Sequence, residues 1–268
     1  MNYRLLDAFR GLFEGTRYKH RDSSLGDFVS YHLYEDLRMV GRSRSFIKSV
    51  DTRDRVLCVA NKRRGIEARR GDGTFGELVP GIMPKVAPGF VVARGPVANV
   101  EIGAEAKILS KAMIAQIGRV LTDLREQVIQ FQHGGGSPIC VGIVGINQAP
   151  SYTSYEGAVR CPHCGEVFPL ERPTNGKRYP HPIQEAAAAE ARLIAEARPA
   201  FDEFLILRYR ATNSAPYPFE WVNYDEMFQD YGAILVRVSR AYESRFGTGA
   251  HDLRAAEPPT PPHAGRPE

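Results

Sequence analysis

The chain has little of what marks a secreted or a membrane protein. Four cysteines and a single tryptophan occur in 268 residues. Two of the cysteines form a Cys-x-x-Cys pair and the other two stand apart in apolar stretches, which argues against a disulfide framework. No apolar run approaches the ~20 residues that a helix needs to cross a bilayer, and the charged N-terminal stretch does not read as a signal peptide. The expected location is therefore cytoplasmic, with no membrane partner.

The chain also lacks a large excess of charge of either sign, since its net charge is only +4. It is unevenly distributed, however, because residues 37–70 carry eleven lysines and arginines against three acids. A basic block on a nearly balanced protein is typical of a surface that binds a polyanion such as nucleic acid. A solvated surface without a partner explains the same block equally well, because a charge run alone is weak evidence.

Apolar periodicity predicts alternating helices and strands. A continuous apolar stripe runs through residues 111–131 behind Ser110, the expected N-cap, and residues 138–146 show the unbroken apolar pattern of a strand covered on both faces. The order predicts an α/β fold with a central mixed β-sheet flanked by helices. Further helices are expected over 3–14, 25–40, 183–198 and 233–246 and from Pro216 onward, and strands over 55–61, 89–94, 97–108 and 204–209, with 76–79 as another candidate.

The domain organisation follows from this pattern. We expect one domain over residues 1–254, with a core at about 25–210. An irregular insertion covers 147–182, and C-terminal helices cover 217–246, whose aromatic residues are candidates for a dimer interface or for the core. The proline-rich segment 255–268 is expected to be a disordered tail.

The strand at 97–108 carries acids at alternate positions. Residues two apart in a strand share one face of the sheet, so Glu101, Glu105 and Lys107 are expected to project from one side. Two carboxylates and an ammonium group that converge in this way can hold a divalent cation and an attacking water. That is the minimum equipment for cutting a phosphodiester bond.

The chain at this point resembles the PD-(D/E)XK nucleases. Glu105-Ala-Lys107 stands as the Glu-x-Lys of that family, at the end of an apolar strand that leads directly into a long helix. The order of helix, three strands, helix and strand also agrees with the family. The resemblance implies a restriction-endonuclease-like core with helical additions. It also implies a Mg²⁺-dependent DNA endonuclease of the type II restriction or another defence class, with Mn²⁺ as a substitute, double-stranded DNA as substrate and a homodimer as the active form.

The sequence departs from the family in its first acid. The family usually has an Asp one hairpin earlier, preceded by Pro, and here Pro96 is followed by Val97. Glu101 is the expected substitute and Glu77 the alternative. The family also takes an acid from its first core helix, where Glu35 or Asp36 is the candidate. A catalytically inactive relative that binds nucleic acid or serves as a scaffold is therefore the second hypothesis.

The remaining candidates concern DNA and zinc. On the resemblance, Lys107 would orient water or stabilise charge, and Lys111 and Gln116 would contact the phosphate or the nucleophile. The other residues expected to contact DNA are Lys62, Arg63, Arg64, Tyr152 and Tyr155. Cys161 and Cys164, with His181 further on, have the types of a zinc knuckle, but a full ligand set is not evident, so Zn²⁺ is the less favoured cofactor. A small zinc-binding protein is the third and weakest hypothesis.

Overall fold

The computed structural model describes residues 2–19, 24–58, 72–133, 136–154, 159–160, 163, 167–168 and 182–247. The helices are α1 (Arg4–Gly11), α2 (Ser24–Val40), α3 (Arg44–Thr52), α4 (Met113–Gln132), α5 (Pro182–Arg192) and α6 (Tyr224–Phe246). A short π-helical turn, Leu193–Ala197, and a 3₁₀ turn, Arg198–Ala200, continue α5. The strands are β1 (Arg55–Cys58), β2 (Gly73–Leu78), β3 (Val97–Leu109), β4 (Ile139–Asn147), β5 (Val159–Arg160), β6 (Val167–Phe168), β7 (Glu203–Ala211) and β8 (Phe219–Trp221).

Six strands form one mixed sheet in the order β1-β2-β3-β4-β7-β8. Strands β1, β2 and β3 are antiparallel to one another, whereas β3, β4 and β7 are parallel and β8 returns antiparallel at the edge. The parallel strands are joined by the helical crossovers α4 and α5, as such connections require. The expected α/β class with a central mixed sheet flanked by helices is confirmed. In the part of the chain that the structure describes, strands β5 and β6 form a separate antiparallel pair.

Helices cover the sheet on two faces. Residues of α1, α2 and α6 pack with Ile102, Ala104 and Ala106 of β3 in one apolar cluster. Residues of α4 and α5 pack with Cys140, Val144 and other members of a second cluster on the opposite face. Every residue of β4 is buried, so the predicted central strand at 138–146 is confirmed. The alternation along β3 also assigns its odd-numbered residues from Gly103 onward to the α4 side.

One predicted strand is wrong, because residues 89–94 do not form a strand. The only bridges in this segment are those of Arg94 with Leu57 and with Lys85. The N–H groups of Val91 and Val92 donate instead to the carboxylate of Glu35. The strand that lies between β1 and β3 is β2 (Gly73–Leu78), for which the sequence indicated only a candidate strand over 76–79.

Helix starts were also mispredicted. Trp221 belongs to β8, and the C-terminal helix is the single helix α6, whose buried side chains join the core. Helix α4 begins after Ala112, which has a left-handed φ of 46° and makes no side-chain cap. Ser110 shares a hydrogen bond with the Tyr209 hydroxyl instead of capping the helix.

In the described part of the chain, no helix is both long enough and apolar enough to span a membrane. The predicted tail at 255–268 and most of the insertion lie outside the described residues.

Candidate active site

The Glu-x-Lys of β3 meets an aspartate that precedes β2. Gly73 pairs with Ala104, so β3 runs on beyond the start of β2 and leaves edge N–H groups without a strand partner. The Oδ2 atom of Asp72 accepts the N–H of Ala106 at 2.9 Å, and the N–H of Asp72 donates to Oε2 of Glu105 at 3.3 Å. Asp72 is thus bonded in both directions to the Glu-x-Lys segment.

Lys107 completes the cluster from the same side of β3. Its Nζ lies 2.6 Å from Oε1 of Glu105. Burial alone would lower the pKa of Lys107, but the attraction and hydrogen bond of Glu105, with smaller contributions from Asp72 and Asp123, raise it above its ordinary value. The ammonium group therefore stays charged at neutral pH.

Glu105 is the group most perturbed by this arrangement. Its side chain is buried, with 3% of the residue exposed. Burial, and then the negative charge of Asp72, raise the pKa of Glu105 to about 7, against the opposing effect of Lys107. Two carboxyl groups held this close in a buried place favour a bound proton or a cation between them. We refer to Asp72, Glu105 and Lys107 as the acidic cluster.

The first turn of α2 lies against this cluster. A Cβ atom on Gly26 would be 2.7 Å from Oδ2 of Asp72, so only glycine fits there without moving the carboxylate. The following residue, Asp27, is buried. Glu35 and Asp36, the acids expected from this helix, lie two or more turns further along.

Glu101 does not share the side of Glu105, so that expectation is wrong. Phe75 pairs with Ile102 but Gly76 pairs with Val100, which leaves Glu101 as the extra residue of a β-bulge. The bulge turns Glu101 towards α6, where Oε2 accepts the hydroxyl of Tyr242 at 2.5 Å and Oε1 accepts Nε of Arg55 at 2.7 Å. Its carboxylate is part of a buried structural network.

The other expected metal ligands also lie elsewhere. Glu77 accepts a hydrogen bond from Asn99 at 2.9 Å near the far end of β2. Glu35 accepts the N–H groups of Val91 and Val92 and pairs with Arg4 at 2.9 Å. The structure therefore does not bring Glu77 or Glu35 to Glu105, because each already organises its own neighbourhood.

Asp36 is likewise structural. Its carboxylate accepts the N–H groups of Arg4 and Leu5 at the start of α1, and it also accepts the hydroxyl of Tyr231 at 2.9 Å. Burial raises the pKa of Asp36 to about 6, and these hydrogen bonds oppose the rise. The group fastens α1 and α6 to α2.

The residues expected to contact DNA fall into two groups. Lys111 donates from Nζ to the hydroxyl of Ser154, and Gln116 donates to the carbonyl oxygen of Lys111 at 3.0 Å, so both tie the start of α4 to its neighbours. Tyr152 is 5% exposed, so its ring is not displayed for stacking on a base. The remaining candidates, for DNA and for zinc, lie outside the described residues: Lys62, Arg63, Arg64, Tyr155, Cys161, Cys164 and His181.

Asp72 is the residue of the acidic cluster that the sequence pattern did not single out. It stands 33 residues before Glu105, next to a highly charged stretch and before a strand rich in glycine. The signal available was an aspartate immediately before Gly73-Thr-Phe-Gly, a short segment with one large apolar residue at its centre. The position of the Glu-x-Lys itself at the end of β3 was recognisable from the apolar strand and the following helix.

Within the described ranges, no group of three or more His, Cys, Asp or Glu side chains is arranged to hold a metal ion. The acidic cluster offers two carboxylates. The chain matches no protein-family model, no curated protein and no solved structure.

Proposed function

We propose that the protein is a metal-dependent nuclease that hydrolyses phosphodiester bonds of DNA, and that the acidic cluster is its active site. The observation that carries this proposal is the double link between Asp72 and the Glu105–Ala106 segment, with the Lys107 ammonium 2.6 Å from Glu105. A pair of acids and a permanent cation are held together at one strand edge, which is the equipment that phosphodiester hydrolysis needs.

The order of the elements supports the same proposal. Helix α2, the antiparallel strands β1 to β3, helix α4 and the parallel strand β4 occur in the order that the resemblance to PD-(D/E)XK nucleases implies, with the short helix α3 inserted between α2 and β1. In that reading Asp72 takes the place of the family's aspartate on the preceding strand. Because the missing aspartate was the main argument for an inactive relative, its presence favours the enzyme.

The residues present fit a bound Mg²⁺ or Mn²⁺ ion. Asp72 and Glu105 would hold it with hard oxygen donors, and a site of two carboxylates that leaves the remaining positions to water and substrate is common for Mg²⁺. Burial first, and then the negative charge of Asp72, raise the pKa of Glu105, and a cation would neutralise that charge. Such an ion, when bound, neutralises charge on the scissile phosphate and makes water a better nucleophile.

Lys107 then has a defined role. Because its pKa is raised, it is a poor general base and a good donor. We assign to it the stabilisation of negative charge that develops on the phosphate oxygens, or the orientation of the attacking water through an N–H donor. Glu105 holds the ammonium in place for either task.

The test is cleavage of supercoiled plasmid and linear phage DNA in Mg²⁺ or Mn²⁺. Purified wild-type protein is compared with Asp72→Asn, Glu105→Gln and Lys107→Met, and Glu77→Gln serves as a matched acid on β2 outside the cluster. We expect cleavage by wild type and by Glu77→Gln, its loss in EDTA, and a loss of at least a hundredfold, on the order of one lost oxyanion-type donor, in the three cluster variants.

DNA binding without cleavage by any folded protein would favour the non-catalytic nucleic-acid-binding protein instead. Cleavage that survives in all three cluster variants would place the active site elsewhere. The same assay also bears on the proposed homodimer, since a two-fold symmetric enzyme makes double-strand breaks where a monomer nicks.

A further inference from the structure

The segment before β3 carries an arginine with an unusual environment. The guanidinium carbon of Arg94 lies 4.9 Å from the ring centroid of Tyr31 and 4.5 Å from that of Phe90. Its Nε is buried without a hydrogen-bond partner, and within the described ranges no carboxylate pairs with this side chain. An arginine held over two aromatic rings loses little freedom when it binds an anion, because its position is already restricted.

Glu35, an acid on the same helix as Tyr31, is already bonded to other groups. Glu35 accepts two N–H groups of the 91–92 segment, and its remaining charge pairs with Arg4. Arg4 in turn donates to the carbonyl oxygen of Gly89 and lies 5.6 Å from the centroid of Phe90. Glu35 thus fixes the loop that presents Phe90, and among the residues that the structure describes no acid pairs with Arg94.

The buried histidine His32 lies in the positive field of Arg4 and Arg94. The ring of His32 lies 5.1 Å from that of Phe90, and neither of its nitrogens has a hydrogen-bond partner among the described residues. Burial first, and then the charges of Arg4 and Arg94, lower the pKa of His32 to about 4. His32 is therefore neutral at physiological pH and adds no charge of its own.

Further contacts place Arg94 beside the acidic cluster and beside a second cation. Arg94 bridges Leu57 of β1, and Leu57 pairs with Phe75 of β2, three residues after Asp72. Burial is the main cause that raises the pKa of Tyr31, the charge of Arg94 opposes the rise, and the charge of Asp72 adds a smaller one. The backbones of Arg94 and Lys85 exchange two hydrogen bonds of 2.7 and 2.8 Å, and side chains of such an antiparallel pair project to one side. Lys85 is exposed.

We propose that Arg94, assisted by Lys85, binds a phosphate group of the nucleic acid next to the one that is cleaved at the acidic cluster. This inference rests on the proposed nuclease function and adds the surface along which the substrate backbone runs. The guanidinium forms charge-assisted hydrogen bonds to the phosphate oxygens, with its stem fixed by Tyr31 and Phe90. Arg94 binds and positions the substrate and takes no part in the chemical step.

The first test measures binding apart from cleavage. A fluorescein-labelled 20-base-pair duplex is titrated in EDTA at several salt concentrations with wild type, Arg94→Gln, Arg94→Lys and the exposed control Arg240→Gln. We expect roughly tenfold weaker binding for Arg94→Gln, the usual effect of losing a hydrogen bond to a charged group. We also expect a salt slope smaller by about one, an intermediate result for Arg94→Lys and no change for Arg240→Gln.

The source of the phosphate is resolved with duplexes that carry 5′-phosphate or 5′-hydroxyl ends. Equal loss on both assigns Arg94 to an internal phosphate, whereas loss confined to the phosphorylated duplex assigns it to a terminal one.

In the cleavage assay, Arg94→Gln should raise KM and largely keep kcat, unlike Glu105→Gln. A variant-independent check is phenylglyoxal labelling of wild type, in which duplex DNA should protect Arg94 but not Arg240.

The two proposals fail in different ways. The role of this arginine would be overturned if the wild type binds and cleaves DNA, Arg94→Gln binds with unchanged affinity and salt slope, and DNA does not protect Arg94 from labelling. The nuclease proposal would then stand. A wild-type protein that binds no nucleic acid would overturn both. If Arg94→Gln does not fold, the labelling result decides alone.

Discussion

Glu105 is a carboxyl group that folding makes harder to ionise. Its pKa in the folded protein is about 7, against an ordinary value of 4.5. Between these pH values the folded state keeps a proton that the unfolded state has released, so its contribution to stability is lost as pH rises from about 4.5 to 7. Metal-free Glu105→Gln should therefore gain stability relative to wild type between pH 5 and 8, by up to about 3 kcal/mol.

Urea denaturation of both proteins at four pH values in EDTA measures this difference. Lys107 remains protonated throughout that range, so the slope reports the carboxyl group. A difference between the two proteins that stays flat from pH 5 to 8 would show that Glu105 ionises normally.

Glu101 belongs to stability instead of catalysis. Its buried carboxylate accepts hydrogen bonds from Arg55 and Tyr242, and the loss of one partner in such a network leaves the others uncompensated. Glu101→Gln should lower the free energy of unfolding by about 2 kcal/mol. The folded variant should still cleave DNA at the wild-type rate at 25 °C, and a rate as low as that of Glu105→Gln would return Glu101 to the active site.

At the scale of elements, the start of α2 sets the position of the Asp72 carboxylate. Ala in place of Gly26 would favour the helix by roughly 0.5–1 kcal/mol, but its Cβ would lie 2.7 Å from Oδ2 of Asp72. The carboxylate moves easily, so the expected result is unchanged or increased stability with at least tenfold slower cleavage. Gly118→Ala on α4 is the matched control, since nothing lies within 4 Å of its Cβ, and it should only stabilise. Equal cleavage by both variants would exclude this role of α2.

Helix α5 supplies the cap that α4 lacks in its own sequence. The carboxylate of Glu185 accepts the N–H of Met113 and, at 3.4 Å, that of Ile114. It lies at the positive end of the helix, where a negative charge is favourable. Glu185→Ala should destabilise the protein by about 1–2 kcal/mol, measured by urea denaturation, with Gln184→Ala at an exposed position of the same helix as comparison. No change would mean that water caps α4 equally well.

The elements also show where sequence patterns carry enough information. Strand β4 and helix α4 follow from unbroken or periodic apolar residues, because burial on both faces or on one face leaves a strong pattern. Strand β2 contains Gly73 and Gly76, so its sequence shows little of the apolar alternation that would predict a strand. The orientation of Glu101 depends on a bulge, which adds one residue to the register and is not encoded in spacing two. Because Asp72 directly precedes β2, a sequence pattern that does not reveal β2 does not reveal this acid either.

At the scale of the whole molecule, helices cover both faces of the sheet, and the acidic cluster lies where β3 runs on beyond the start of β2. Asp72 and Glu105 come from parts of the chain 33 residues apart, so a cation held between them also holds β2 to β3. Because an ion that binds only the folded state stabilises it by mass action, metal affinity is measurable without knowledge of the substrate.

We therefore expect Mg²⁺ to raise the melting temperature of the metal-free protein. At tenfold the Kd, the gain is about 1.4 kcal/mol, or roughly 3–5 °C for a chain of this size. Asp72→Asn and Glu105→Gln should melt higher than wild type in EDTA, since their buried repulsion is gone, and should not respond to Mg²⁺. Lys107→Met should respond at least as strongly as wild type, because it removes a competing cation and keeps both ligands. An equal response of all four proteins would reveal a general salt effect, and the acidic cluster would then have no claim to a metal.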